Sequence, residues 1–235
     1  MAHLKVLCLH GQQTSAEILE WQLRPLSDKL EQQLDMRFYF VDGLIEAEPD
    51  SSFEGIFEPP FFDWIRWESS HGSSDTTTSS DASLATVRAA IELLDHVVAD
   101  QGPFDGILGF SQGASVACAY LAHLDRRDGS CAPFRFALFF SSGGLSVDHL
   151  LLLRRLSDGE QRQPSAFDAI FSIPSLHVYG TADDLKDNAL AMTRLWRPGS
   201  AAIVTHPGGH VVPRDTASVG RIVSAARVMI RSMVS

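Results

Sequence analysis

The five residues Gly109-Phe110-Ser111-Gln112-Gly113 constrain this chain more than any other stretch. The bare pattern, Gly-x-Ser-x-Gly, is weak, because a chain rich in glycine and serine meets it by chance; its flanks raise it. Upstream, Phe104 to Phe110 is a short apolar run suited to a buried strand. Downstream, Ala114 to Leu124 is dense in small and apolar residues and suits a buried helix. A strand, a tight turn with serine at its apex, then a helix is the arrangement that lifts a nucleophile above the end of a sheet. Such a turn strains the serine backbone, and side chains at 109 and 113 would collide with the neighbouring strand and helix. The helix start also points backbone N–H groups at negative charge developing beside Ser111. The plainer alternative is an ordinary strand-to-helix turn with an incidental serine.

The rest of the chain repeats the strand–helix alternation. His3 to Leu9 reads as a strand, followed by an amphipathic helix with Leu19, Leu23, Leu26, Leu30 and Leu34 on one face. Pro25 inside that helix predicts a kink or a break into two. Arg37 to Val41, Phe134 to Phe140, Ser175 to Tyr179 and Ala201 to Thr205 are further strands. Helices are expected from a cap at Asp81 or Ser83 to Gly102-Pro103, around Lys186 to Leu195, and from about Arg214 to Met233, with a short helical patch over Val147 to Leu156. Together these predict one α/β domain over 1–235, a mostly parallel sheet with helices on both faces. Residues 43–82 break the pattern as an irregular insertion. Its first half is acidic and aromatic, and its second half, Ser69 to Ser83, is almost wholly Ser, Thr, Gly and Asp, a composition that predicts a mobile loop.

Composition excludes several functions. The net charge of −10, with Arg126-Arg127 and Arg154-Arg155 as isolated basic pairs, argues against nucleic acid and against an anionic membrane surface. No apolar run approaches membrane-spanning length. Leu4 to Leu9 is too short for a secretory leader and already reads as the first strand. Three cysteines, Cys8, Cys118 and Cys131, form neither a metal pattern nor a disulfide framework, which fits a reducing, cytoplasmic setting. No metal or other cofactor is expected: His10, His206 and His210 lack an acidic or cysteine partner at ligand spacing.

A serine needs a base within hydrogen-bond reach to act as a nucleophile at neutral pH. Among nine histidines, His210 stands out because it follows a strand in a Pro-Gly-Gly-His loop, whereas His206 falls in or at the edge of that strand. His71 lies in the Ser-rich loop, and His96, His123 and His149 lie on helical stretches. The base in turn needs a carboxylate. Gly180-Thr181-Ala182-Asp183-Asp184 follows a strand directly and offers two, of which Asp183 is the better placed to face the base and Asp184 the better placed to cap or face solvent. Ser111, Asp183, His210 is the chain order of α/β-hydrolases.

These motifs also carry a resemblance. Leu9-His10-Gly11, Gly109 to Ala114, Val178-Tyr179-Gly180 with Asp183, and His206 with Gly208-Gly209-His210 and Pro213 together resemble the fungal family serine hydrolases, a branch of the α/β-hydrolases, over nearly the whole chain. The resemblance implies Ser111 as nucleophile, Asp183 as acid and His210 as base. It implies an oxyanion hole made of the backbone N–H groups of Gln112 and Gln12, with His10 buttressing the loop that carries the second. It reaches small esterases and thioesterases encoded with fungal polyketide synthases. It therefore implies an ester or thioester substrate and, as partner, an acyl carrier domain from which a chain is released. A carboxylesterase, a lysophospholipase or a peptidase on the same turn, and a catalytically inactive binding protein, are the alternatives.

The aromatic half of the insertion holds six aromatic residues in the fifteen positions from 53 to 67. One expectation is that they roof the core. The other is that they line an acyl pocket beside Ser111, with Phe61, Phe62 and Trp64 as the candidate rings and the Ser-rich tail as a lid.

Overall fold

Six strands form one parallel sheet in the computed structural model, which describes residues 3–66, 81–143 and 171–233. The elements in chain order are β1 (Leu4–Leu9), α1 (Ala16–Leu34), β2 (Met36–Val41), β3 (Ile45–Ala47), β4 (Phe61–Asp63), α2 (Asp81–Gln101), β5 (Gly106–Phe110), α3 (Gln112–Asp128), β6 (Phe136–Phe140), β7 (Ser175–Gly180), α4 (Lys186–Met192) with a 3₁₀ turn (Thr193–Leu195), β8 (Ala201–His206) and α5 (Thr216–Ser232). The sheet order is β2-β1-β5-β6-β7-β8, and every neighbouring pair is parallel.

A parallel sheet is covered on both faces, so its central strands are apolar throughout rather than alternating. All five residues of β5 and all five of β6 are buried. Alternate side chains feed two cores. On one face Leu7, Leu9, Ile107 and Phe139 pack with Val87 and Leu94 of α2 and with the small residues of α3. On the other, Val6, Cys8, Leu108 and Phe140 pack with Leu19, Leu23, Leu26 and Leu30 of α1 and with Val219, Ile222 and Val223 of α5. The expected sheet with helices on both faces is thus the observed one. Cys8, Cys118 and Cys131 are buried free thiols, and no described helix is long and apolar enough to cross a membrane.

Several local expectations are corrected. Helix α1 runs through Pro25 without a break. Proline removes the hydrogen bond to the carbonyl four residues back, that of Trp21. Here that oxygen accepts instead from Arg214 Nη1 at 3.1 Å, and the guanidinium lies 4.1 Å from the centre of the Trp21 ring. The lost bond is replaced, so the helix continues. Residues 43–66 are not wholly irregular either: β3 and β4 pair antiparallel, Glu46 opposite Phe62. Helix α2 already includes Asp81, so Ser83 is not its cap; the Ser83 hydroxyl donates to the Arg66 carbonyl. Helix α3 begins at Gln112 and passes Leu124, ending at Gly129 with φ 68°. The Ser-rich loop up to residue 80, Trp67 and the Val147 to Leu156 patch lie outside the described residues.

Candidate active site

Strand β5 delivers Ser111 to the top of the sheet in a backbone conformation of φ 53°, ψ −118°. A non-glycine residue there costs on the order of 1–3 kcal/mol and must be held by its surroundings. The hold is visible: Ser111 N–H donates to the Phe140 carbonyl at the end of β6, and the Ser111 carbonyl accepts from Gly143 N–H at 3.2 Å. The flanking glycines are required by close approach. A Cβ on Gly113 would stand 2.3 Å from the Leu9 carbonyl oxygen, and one on Gly109 would stand 2.5 Å from the Ala114 backbone.

His210 Nε2 lies 2.8 Å from Ser111 Oγ. Its Nδ1 lies 3.0 and 3.1 Å from the two Asp183 carboxylate oxygens. The tautomer this favours carries its proton on Nδ1, donating to Asp183, and leaves Nε2 to accept from the serine hydroxyl. Asp183 is 1% exposed, and its Oδ1 also accepts from Leu185 N–H at 2.8 Å. Asp184, the other candidate, is exposed. The loops after β7 and β8 are laced together: Thr181 N–H donates to the His206 carbonyl and Ala182 N–H to that of Gly208. A Cβ on Gly180 would come within 2.1 Å of the Gly208 carbonyl, so only glycine lets the acid and base loops meet this closely. The Phe110 ring packs beside the His210 imidazole, with centroids 5.4 Å apart.

The other histidines stay apart from this chain of hydrogen bonds. His206 closes β8, is 3% exposed, accepts from Gly208 N–H at Nδ1, and is pushed below its ordinary pKa by burial. His96 is exposed, and His123 lies 3.5 Å from Asp95 on the α2–α3 side. His71 and His149 lie outside the described residues. Among the described residues no three His, Cys, Asp or Glu side chains gather to hold a metal ion.

The two expected oxyanion residues occupy neighbouring turns, because β1 pairs directly with β5. Gln112 is the first residue of α3, where backbone N–H groups have no acceptor within the helix. Gln12 is exposed in the turn after β1; the adjoining Gly11 packs so close that a Cβ on it would be 3.5 Å from Ser111 Cβ. His10 is wholly buried beneath that turn. Its Nε2 accepts from Gly43 N–H at 2.9 Å, so its proton is on Nδ1, which donates to the Gly11 carbonyl at 2.6 Å. Burial pushes the imidazole down to a pKa of about 4, and it is neutral at pH 7.

The three candidate pocket rings are not alike. Trp64 is 1% exposed and packs into the core with Leu7 and Leu9, its indole N–H donating to the His10 carbonyl at 3.0 Å. Phe61 is 5% exposed. Only Phe62 is partly exposed, and its backbone pairs with Thr14. Trp64 therefore roofs the core rather than facing an open pocket, because an indole that must satisfy its N–H indoors is pulled inward. Sequence reasoning also missed the Gln112 side chain. Its Oε1 accepts from Trp64 N–H at 2.6 Å and Ile65 N–H at 3.1 Å, and its Nε2 donates to the Ile65 carbonyl at 3.1 Å. The only signal in the sequence is a long primary amide at a position destined for burial.

Comparison with known proteins gives the family and the fold. The sequence pattern of the family described as Serine hydrolase (FSH1) matches residues 1–222. Esterase FPY3 of Fusarium mangiferae is 31% identical over 215 residues, spanning 90% of this chain and 89% of its own. Hydrolase phiM of Talaromyces stipitatus is 29% identical over 231 residues, spanning 95% and 86%. Among solved structures, a Bacillus cereus carboxylesterase is similar with a TM-score of 0.56 at 16% identity, over 97% of this chain and 89% of that one. Arabidopsis thaliana SOBER1 is similar with a TM-score of 0.58 at 15% identity over 100% of both chains. At such identities the structural likeness concerns the α/β-hydrolase fold.

Proposed function

This chain belongs to the serine hydrolase (FSH1) family, and from that membership we propose that it is a serine esterase working through an acyl-enzyme on Ser111. The observation that carries the reading is the unbroken path from Ser111 Oγ through His210 to the buried Asp183. In this reading Ser111 Oγ attacks the carbonyl carbon of the substrate while His210 Nε2 takes the hydroxyl proton. Asp183 holds the imidazole in its tautomer and balances the imidazolium. The oxyanion is received by the backbone N–H groups of Gln112 and Gln12 at the start of α3 and the turn after β1. Collapse breaks the bond to the leaving oxygen or sulfur, which takes the proton from His210. Water, deprotonated by the same nitrogen, then attacks the acyl carbon and restores Ser111. One ester and one water give one acid and one alcohol, or a thiol where the substrate is a thioester.

The chemistry at the carbonyl is common to oxygen esters and thioesters, so the leaving group is a matter of the surrounding surface. A small-molecule acyl ester is the general substrate of this reading, and a thioester on a carrier domain is its finer form. The test is labelling with a fluorophosphonate followed by mapping of the modified residue. Wild type should be labelled at Ser111 and Ser111→Ala not at all; a labelled Ser111→Ala protein would move the nucleophile to another residue, and an inert wild type would leave a binding protein of the same fold as the better account. Rates on an acyl p-nitrophenyl ester and on the matching acyl thioester then separate the two substrate forms.

A further inference from the structure

We propose that the Gln112 side chain is a positioning residue that locks the two oxyanion donors, on different turns, into one rigid unit through the segment 61–65. The proposal rests on the reading of Ser111 as nucleophile. Gln112 and Gln12 are a hundred residues apart in sequence, in the turns following β5 and β1; strand pairing brings the two turns side by side but does not by itself set the direction of the two N–H groups. Residues 61–65 do so as a splint. At one end the Gln112 amide uses both kinds of hydrogen-bonding group at once, accepting from Trp64 N–H and Ile65 N–H and donating to the Ile65 carbonyl, all in a buried setting. At the other end, the splint grips the turn after β1 at three successive places. The Trp64 indole donates to the His10 carbonyl, Asp63 Oδ1 accepts from Gln13 N–H at 2.7 Å, and Phe62 pairs with Thr14 in both directions.

The turn itself is stiffened from within. The Gly11 carbonyl receives both the His10 Nδ1 proton and the Thr14 hydroxyl at 2.8 Å, which fixes the peptide plane that carries Gln12 N–H. A carbonyl oxygen and the following N–H share one rigid plane, so holding Gly11 O aims Gln12 N–H. The residue whose main chain supplies one donor thus supplies, through its side chain, the tether for the other. Only a primary amide of this length offers two acceptor sites and a donor to the same backbone stretch. This also explains the burial of Trp64, whose ring packs in the core while its N–H holds the turn after β1.

The experiment compares wild type, Gln112→Glu and Gln112→Leu, with kcat and KM for a p-nitrophenyl ester from pH 5.5 to 8 and fluorophosphonate labelling of each protein. In Gln112→Glu an ionised carboxylate keeps the acceptors but repels the Ile65 carbonyl, whereas a protonated carboxyl again accepts and donates. Gln112→Glu should therefore lower kcat by up to about 10²-fold with little change in KM. Its rate relative to wild type should climb as pH falls, while that of Gln112→Leu stays low and flat. Asp63 on the splint and His10 in the turn it grips, the titratable groups nearby, are present in all three proteins, so the ratio to wild type isolates position 112. If Gln112→Glu does not fold, Trp64→Phe removes the indole N–H together with part of the ring and should show the same loss in kcat per folded molecule without a change in KM. Variants that melt earlier but keep wild-type kcat per folded molecule would overturn the proposal. A wild type not labelled at Ser111 would instead overturn the reading beneath it.

Discussion

At the scale of single residues, the site depends on two side chains held where they would not go unaided. Asp183 is a carboxylate shut away from water, and its charge is supported by His210 and by Leu185 N–H. Asp183→Asn should present the wrong partner to His210 Nδ1 and lower kcat by about 10⁴-fold, while Asp184→Asn, at an exposed position, should leave it within about twofold. Equal losses in steady-state assays would move the acid to Asp184. Ser111 is the other constrained residue. Its φ of 53° and ψ of −118° suit glycine, so Ser111→Gly should be inactive yet more stable than Ser111→Ala by about 1–2 kcal/mol in urea unfolding, glycine's own entropy cost offsetting part of the relief. The pairing of Ser111, Asp183 and His210 was legible in the sequence because each lies in a glycine-containing turn or loop just after a strand. The Gln112 side chain was not, since its partners are backbone groups 47 and 48 residues away and backbone groups leave no pattern in a sequence.

At the scale of elements, the strand ends act as a row of fixed mounts, and two glycines show how differently a mount can respond to one added methyl. Gly113 faces the Leu9 and His10 carbonyls, with a Cβ at 2.3 and 2.4 Å, and rigid backbone cannot yield. Gly113→Ala should cost several kcal/mol and leave little folded protein, as read by circular dichroism. Gly143, after β6, would place a Cβ 2.9 Å from the movable Leu185 Cδ1, 3.6 Å from His210 Cε1 and 3.7 Å from Ser111 Oγ. Gly143→Ala should therefore fold and raise KM more for esters with bulky alcohols than for methyl esters. This follows because β6 lies across β5 from β1 and its proposed Gln12 donor, and Gly143 stands beside His210, which protonates the leaving group in the proposed mechanism. An unchanged preference across alcohols would place the leaving group elsewhere. Most elements were legible from apolar runs and from the 3.6-residue stripe. The β3–β4 pair was not, because strands of three residues are too short to show an alternation. Nor was the intact α1, whose missing hydrogen bond is made good by Arg214 from the far end of the chain.

At the scale of the whole molecule, burial has placed three histidines where they resist protonation: His10, held to about 4, His177, held to about 3, and His206, shifted in the same direction. The unfolded chain protonates each near 6.5, so below that pH it takes up protons that the folded protein refuses. Stability is thus complete above about pH 6.5 and falls as pH drops towards 4, by roughly 1.4 kcal/mol per pH unit for each of His10 and His177, with His206 adding in the same direction. Asp63, whose carboxyl burial raises, pulls the other way over the acid part of that range. Urea midpoints at pH 7, 6 and 5 should fall in order, and His177→Gln should flatten the slope; a midpoint independent of pH would show these imidazoles to be charged in the folded state. The order of strands carries one more consequence, in the time it takes to build the molecule. Ser111 leaves the ribosome well before its base, which is 99 positions further along the chain. At about 5–20 residues per second, that is roughly 5–20 s during which the serine exists without His210. Strand β5 gains its far-side neighbour as soon as β6 is made, but the strands that carry Asp183 and His210, β7 and β8, are added later. If synthesis stops before His210, the chain carries the serine without the base that the esterase reading requires.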